Sequence, residues 1–516
     1  MNRALGAILV VLDACAPRAS QMPPVAAPTD LWSFAPADAG VGLVARDGSL
    51  GALVRGLRLG LRYWESADPD GVAELRGRLA GQPTAWAFLD DALLAEHGID
   101  LALGFAMYTR DDDRTWVLPV GNRERFRASV GASISTHRSY EVDHLGRFWC
   151  AEIRRRYVCV TNLDRIAELD AHPAPAPEWT RAAGGDVEAR VDRSAMTDVN
   201  QAAISELDFV RLDNLREMRM TARLEPGAAT VRMHFVADGA AGTRPPWPAI
   251  AALAANPPAL VAIIRSDKFA DSMKHDNAMA AIAEGWIGDF VVSVPTGDRI
   301  DATLRTHYRD AASAKAILAR CAQVLGSSPP PGGDPCVREV AFPPIFTGVL
   351  AVTAEDRDLV ISARETGLYP AAPTAAAPSA AFAELLAGTP TIALWGRGIL
   401  ALGGPGVGVD AVVGRPNAAT MLWFMTHVAE IGAAVEPRVD GAVVTVRLRT
   451  TFANPDEVVS ALEPLLYRAM RGDVAAAAEI RALAGRFPRS PLAADVATGT
   501  GAMRLLAIAM AATLAR

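Results

Sequence analysis

The stretch from Leu215 to Ala237, LREMRMTARLEPGAATVRMHFVA, decides the fold because apolar and polar residues alternate along both of its arms. The apolar positions are Met218, Met220, Ala222 and Leu224 on the first arm and Val231, Met233 and Phe235 on the second. The polar positions between them are Arg219, Thr221 and Arg223, then Arg232 and His234. A period of two predicts an antiparallel hairpin with one face toward a core and the other toward solvent.

A second hairpin with the same pattern lies at residues 432–452, GAAVEPRVDGAVVTVRLRTTF. Its segment TVRLR at 445–449 matches TVRMH at 230–234 nearly residue for residue, with Val444, Val446 and Leu448 on the apolar side. The elements that precede the two hairpins also recur in one order, beginning with a strand and a helix after Pro36 and after Pro258. This recurrence predicts a tandem duplication, whereas the alternative is an unrelated succession of hairpins and helices.

A shorter hairpin carries the clearest correspondence between the halves. The first copy is FWCAEIRRRYVCVT at 148–161, and it aligns with LAVTAEDRDLVISA at 350–363 so that the two predicted turns coincide. A turn at Arg154-Arg155 places Cys150 directly opposite Cys159, which is the geometry that a disulfide needs. Closing so short a loop would stabilise the fold by about 2–3 kcal/mol. Two free buried thiols are the alternative. The aligned pair in the second half is Val352 and Ile361, an apolar cross-strand pair.

Cys321 and Cys336 form a second candidate pair. They lie on either side of the loop SSPPPGGDP at 327–335, which joins a predicted helix to a predicted strand. A disulfide between them is compatible with an exported protein. The loop does not define a register, so this prediction depends on proximity in sequence alone.

These patterns together predict an α+β fold. We expect two tandem related modules of antiparallel sheet covered by helices, at residues 31–245 and 246–455, followed by a C-terminal helical cap at 456–516. A length of 516 residues, with 51% hydrophobic and 21% charged residues, suits a globular chain of more than one domain.

The N-terminus, MNRALGAILVVLDAC, has a basic start, a short apolar run and small residues before Cys15. This pattern predicts a signal peptide over residues 1–14. The ending Leu12-Asp13-Ala14-Cys15 resembles the lipobox of bacterial lipoproteins, which implies a lipidated Cys15 that binds the membrane. The Pro- and Ala-rich residues up to 30 then form a tether. Plain secretion and a buried first helix are the alternatives.

The whole architecture resembles uncharacterised envelope lipoproteins of Gram-negative bacteria that carry a duplicated α+β module. That resemblance implies a location in the cell envelope, and Ala16 after the lipidated cysteine favours the outer membrane, with the body facing the periplasm or the outside. It implies no particular chemistry.

The chemical motifs that would indicate an enzyme are missing from the sequence. It has no Gly-x-Ser-x-Gly elbow, no His-Glu-x-x-His and no phosphate-binding loop ending in Lys-Ser/Thr. Asp111-Asp112-Asp113 is interpreted as a charged hairpin tip instead of a calcium loop, since its carboxylates lack alternating spacing. We therefore predict no catalytic residue, no metal and no cofactor. A formal net charge of −7 also argues against nucleic acid as a partner.

Three functions remain open on the sequence. The first is a non-catalytic binding or scaffolding body, whose partners would be other envelope proteins. The second is a carrier of an apolar ligand such as a lipid, held between helices and a sheet whose apolar face is rich in methionine. An enzyme of unfamiliar mechanism is a third possibility.

Overall fold

The fold is described from a computed structural model. It covers most of residues 30–51 and 91–450, together with isolated positions at 53–77 and 461–479. Within the first two ranges, the residues outside the described part are 38, 184, 197–213, 226–227, 239–243, 256–257, 275–282, 296–299, 322–335, 343–345, 367–379 and 398–427. The predicted signal peptide, the tether with Cys15 and most of the predicted C-terminal helices lie outside the described residues.

Strands dominate the described chain. They are β1 Val41–Ala45, β2 Phe105–Arg110, β3 Asp113–Leu118, β4 Ser133–His137, β5 Tyr140–Leu145, β6 Phe148–Ile153, β7 Arg156–Val160, β8 Val187–Asp192, β9 Leu215–Glu225 and β10 Ala228–Ala237 in the first half. The second half contains β11 Leu260–Arg265, β12 Trp286–Val294, β13 Asp301–Tyr308, β14 Val337–Phe342, β15 Phe346–Glu355, β16 Asp358–Glu365, β17 Ile392–Arg397, β18 Val428–Arg438 and β19 Gly441–Thr450.

All 19 strands belong to one antiparallel sheet. Following the pairings from one edge to the other gives the order β4-β5-β6-β7-β3-β2-β1-β8-β9-β10-β19-β18-β17-β11-β12-β13-β16-β15-β14. The two halves of the chain meet where β10 pairs with β19, in a register that runs from Ala228↔Arg449 to Val236↔Gly441. The central hairpins predicted at 215–237 and 432–452 are therefore neighbours in the sheet.

The strand order is the same on both sides of the β10–β19 pair. Outward from the centre it is β10-β9-β8-β1-β2-β3-β7-β6-β5 in the first half and β19-β18-β17-β11-β12-β13-β16-β15-β14 in the second half. Strand β4 extends the first half alone. Descent of the halves from one duplicated unit, and the residue boundaries given to each, stay predictions.

The described helices are short. They are α1 Asp91–Glu96, α2 Arg123–Val130, α3 Arg165–Ala171, α4 Glu178–Ala183, α5 Pro248–Ala255, α6 Asp267–Lys274, α7 Ala311–Leu318 and α8 Ala380–Ala387. At α7, the N-cap Asp310 side chain accepts a hydrogen bond from the Ser313 N–H at 2.7 Å. At α2, Asn122 accepts from the Arg125 N–H at 3.0 Å.

The predicted α+β class with helix-covered sheets is wrong. The structure is predominantly one large antiparallel β-sheet with few helices. Strands lie about 4.8 Å apart, so 19 of them extend over roughly 86 Å of sheet. A helix of eight residues is about 12 Å long and crosses only two or three strands. Alternation in the sequence identifies the face of a strand that is apolar, but it does not show which element covers that face.

Candidate apolar ligand-binding face

One face of the sheet is apolar almost from edge to edge. We call it the apolar face; its opposite is the reverse face. Directly paired residues share a face, so the register defines rows of side chains across the strands. One row is Phe105, Ala45, Val187, Ala222, Val231, Val446, Ala433, Leu394, Ala262, Val292, Leu304, Ile361 and Val352. The next row is Trp116, Met107, Leu43, Ala189, Met220, Met233, Val444, Val435, Ile392, Ile264, Phe290, Thr306 and Leu359.

In the first half, the apolar face is covered by a packed core. Phe126 of α2 and Leu94 of α1 belong to the same cluster as Trp116, Phe148 and the two half-cystines of the β6–β7 hairpin. Phe126 meets the Tyr157 ring edge-on at 5.4 Å between centroids. This part of the face is therefore closed by the chain itself.

In the second half, α6 and α7 pack against β12, β13, β15 and β16. Ala314 and Ile317 of α7 pack with Val352 and Leu359, and Ala270 of α6 belongs to the same cluster. Burial at this end raises the pKa of Tyr308 to about 12. This cluster of described residues contains no side chain of β11 or β17.

Between these two cores lies a set of half-exposed apolar side chains, which we call the open apolar patch. It consists of Ile392 and Leu394 on β17, Ala262 and Ile264 on β11, Val292 on β12 and Leu304 on β13. Leu394 is 54% exposed in the middle of its strand. None of these residues belongs to a core cluster formed by described residues, although every one faces the same side as the buried Val352.

Two of these strands, β11 and β17, are also buried on the reverse face. Val261 and Ile263 of β11 are 0% exposed, and Ala393 and Trp395 of β17 are 1% and 2% exposed. They pack against Phe382 and Leu385 of α8 and against Ile250 of α5. Strands that are apolar on both faces normally lie between two layers. Here α5 and α8 form one layer, and the described residues form no complete second layer over the open apolar patch.

Two buried carboxylates, which the sequence analysis did not identify, are each held by two arginines. Asp143 on β5 is 0% exposed and accepts from Arg123 Nε at 2.8 Å and Arg127 Nε at 2.5 Å. It also accepts from the Tyr157 hydroxyl at 2.7 Å, and burial with this hydrogen bond raises the pKa of Tyr157 strongly. These groups are fully engaged with one another, so they serve to fix α2 on the sheet.

The second buried carboxylate is Asp289 on β12, which is 1% exposed. Arg244 Nη1 donates to it at 2.6 Å and Arg265 Nη2 at 2.9 Å. Nothing in the sequence places these partners together, because they come from separate segments.

A histidine and an aspartate also meet on the β13–β16 pair. His307 Nδ1 lies 2.5 Å from Asp358 Oδ1. Arg305 Nη1 and Trp247 Nε1 donate to the same carboxylate at 3.2 Å. Burial opposes ionisation of Asp358, but the hydrogen bonds from His307, Arg305 and Trp247 outweigh it and lower its pKa.

Both predicted disulfides are present. Cys150 and Cys159 are bonded with a Cα–Cα distance of 4.0 Å, and they are directly opposed in the β6–β7 register, as predicted. Val352 and Ile361 are opposed in the same way between β15 and β16. Cys321 and Cys336 are bonded with their Cα atoms 5.2 Å apart. Cys15 lies outside the described residues.

Asp111 has a φ of 50° at the turn between β2 and β3, consistent with the predicted hairpin tip. Within the described part of the chain, no three histidine, cysteine, aspartate or glutamate side chains are grouped closely enough to hold a metal ion. No helix there combines the length and apolar character needed to cross a bilayer.

Comparison with known proteins gives little further information. The sequence matches no known protein family and no curated protein. One solved structure, crystal form I of TP0453, aligns with 44% of this chain and 86% of its own at 9% identity, with a TM-score of 0.26. A TM-score at that level does not establish a shared fold.

Proposed function

We propose that this chain is a binding protein that carries an apolar ligand, of the class of a lipid acyl chain, on the open apolar patch. The observation that carries the proposal is the row of half-exposed apolar side chains around Leu394, which lies on β17 beside β11, two strands that are buried on their reverse face. Burying apolar area contributes about 25 cal/mol per Å², so an apolar occupant gains free energy by completing this layer.

The shape and chemistry of the patch favour a lipid over a compact polar ligand. Its strands β17, β11, β12 and β13 are consecutive neighbours, so the patch is about 14 Å wide across the strands. Aliphatic side chains line it and no charged side chain lies within it. An elongated aliphatic chain matches that surface, whereas a polar ligand would lose hydrogen bonds to water without replacing them.

A substitution at Leu394 tests this proposal. We expect dansyl-labelled undecanoic acid to bind the native protein and to bind the Leu394→Glu variant at least tenfold more weakly, since a carboxylate would be desolvated against the acyl chain. Val439→Glu is the matched control, because Val439 is 83% exposed and lies in the turn between β18 and β19. Equal binding by the native protein and Leu394→Glu would overturn the proposal, as would an equal loss in the control.

We also propose that the protein is anchored to the cell envelope through a lipidated Cys15. The support is the apolar run and the lipobox-like tetrad at residues 12–15. Cys15→Ser should move the protein from the membrane fraction to the soluble fraction. Cys321→Ser, which removes a cysteine in the folded body, should leave it in the membrane fraction. An unchanged distribution of Cys15→Ser would contradict the anchor.

A scaffold for other envelope proteins is the second candidate, and one observation favours it. In the described structure, the edge strand β4 pairs only with β5, carries no Lys, Asp, Glu or Pro, and exposes Ile134 to 61%. Such an edge is suited to the addition of a partner strand. A photo-crosslinking residue at Ser135 should then capture a defined partner in cells, while the same residue at Val439 should not. No crosslink from Ser135 would contradict this candidate.

A further inference from the structure

The reverse face of the central strands carries a patch of a different chemistry. On β9, β10 and β19, arginine and threonine alternate both along and across the strands. We call these residues the arginine–threonine patch. Its rows are Arg223, Thr230 and Arg447, then Thr221, Arg232 and Thr445, then Arg219 and His234. The patch lies where the two halves of the sheet join.

Two of these arginines have no partner among the described residues. Arg219 is paired with Glu217, and Arg447 Nη1 lies 2.5 Å from Glu384 Oε2 of α8. Arg223 and Arg232, both exposed, make no hydrogen bond or ion pair in the part of the chain that the structure describes. Arg223 opposes Thr230 and Arg232 opposes Thr221, so the two arginines are diagonal neighbours about 7–8 Å apart.

The Glu188 carboxylate, on the neighbouring strand β8, does not neutralise Arg223 and Arg232. Glu188 on β8 opposes Thr221, but it accepts from Trp32 Nε1 at 2.7 Å and from Arg46 Nη2 at 2.5 Å. Burial raises the pKa of Glu188 in spite of these two donors. Among the side chains that the structure describes, no carboxylate therefore compensates the positive charge of Arg223 and Arg232, in a chain whose formal net charge is −7.

The donors of the patch suit a phosphate group. Guanidinium groups form forked, charge-assisted hydrogen bonds to phosphate oxygens. Thr230 lies directly opposite Arg223 and two residues before Arg232 on the same face of β10, so its hydroxyl can donate to the same anion. Two uncompensated arginines match a phosphomonoester, which carries about −1.5 to −2 charges at pH 7.

We propose that the arginine–threonine patch is a binding site for a phosphomonoester, with Arg223 and Arg232 as its main ligands and Thr230 as a hydroxyl donor. The phosphate belongs either to a soluble molecule or to the headgroup of a lipid. This site lies on the opposite side of the sheet from the open apolar patch and does not depend on the function proposed for that patch.

Calorimetric titration with inorganic phosphate, and co-sedimentation with vesicles of phosphatidylcholine containing phosphatidic acid, test the proposal on the full chain. We expect the native protein to bind at least one probe, and Arg223→Gln/Arg232→Gln to bind it at least tenfold more weakly. The charge-matched control is Arg125→Gln/Arg309→Gln, since both of these arginines are exposed and lie away from the patch. The control should bind like the native protein.

The two probes distinguish a soluble phosphomonoester from a lipid headgroup as the source of the phosphate. Binding of phosphate with no preference for phosphatidic acid vesicles supports a soluble phosphomonoester, while retention on those vesicles but not on pure phosphatidylcholine supports a lipid headgroup. The proposal is overturned if the native protein binds neither probe, or if the control loses binding as the patch variant does. Leu394→Glu should bind both probes as the native protein does. Failure of the phosphomonoester proposal can therefore be distinguished from failure of the lipid-binding proposal for the open apolar patch.

Discussion

At the scale of single residues, the best-defined interactions are polar and buried, and they were invisible in the sequence. Asp143, Arg123, Arg127 and Tyr157 converge from α2, β5 and β7. An aspartate in an alternating strand is expected to face solvent, so only the tertiary fold reveals that Asp143 is 0% exposed. The opposition of Cys150 and Cys159 was predictable because it depends on one turn and a count of residues.

Asp143→Ala should destabilise the fold by about 3–5 kcal/mol, since it leaves two partly buried guanidinium groups and a tyrosine hydroxyl without their acceptor. Urea unfolding would measure the loss. Asp164→Ala is the control: Asp164 is 73% exposed and pairs with Arg138 at the surface, where such pairs contribute less than about 1 kcal/mol. Similar losses in the two variants would contradict the role given to Asp143.

The pKa of Asp358 predicts a dependence of stability on pH. Its folded pKa is lowered below the ordinary 3.8, so its ionised form contributes stability above that value. The contribution is lost as the pH falls below 3.8 through the folded pKa. We expect the free energy of unfolding to fall less between pH 6 and pH 3 in Asp358→Asn than in the native protein. If urea unfolding gives parallel curves of unfolding free energy against pH for the two proteins, Asp358 does not contribute to the pH dependence of stability.

At the scale of elements, the hairpins were predictable from the sequence, whereas the helices that cover them were not. A period of two identifies the apolar side of β9, β10 and β19, and the structure buries Val231 and Phe235 there as expected. The helices that cover the neighbouring strands come from distant segments, so the pattern of a strand alone cannot identify them. For the same reason, Leu394 looks like any core residue in TIALWG, although it is exposed.

The matching hairpins β6–β7 and β15–β16 predict that an apolar pair can partly replace the Cys150–Cys159 disulfide in stabilising the fold. Cys150→Ala/Cys159→Ala should lose about 2–3 kcal/mol of stability, because the covalent cross-link is removed. Cys150→Val/Cys159→Val should recover part of that loss, since Val352 and Ile361 fill the same opposed positions in the second half. Thermal unfolding under oxidising conditions would compare the variants. If the valine pair is no more stable than the alanine pair, the two positions are not equivalent.

At the scale of the whole molecule, the main difference from expectation is that two predicted modules share one sheet. The β10–β19 pairing joins residues far apart in the chain, and no local pattern indicates which strand edges will meet. The alternating patterns of β10 and β19 indicate which face of each strand is apolar. They do not indicate which strand will pair with each edge, because that depends on the complete topology.

A continuous sheet predicts that the two halves unfold together. Val231→Asp places a charge on the buried face of β10, where Val231 is 3% exposed and opposes Val446. Hydrogen exchange measured at β2 and at β12 should then accelerate in both halves. Acceleration confined to β2 would show that the halves unfold independently despite the shared sheet.

The central claim is that the open apolar patch carries a lipid, and native mass spectrometry of the protein extracted from its own cells tests it most directly. The account predicts an added mass that matches a bound lipid in the native protein and in Val439→Glu, and its loss in Leu394→Glu. A native protein of unliganded mass, or an added mass that survives Leu394→Glu, would contradict it.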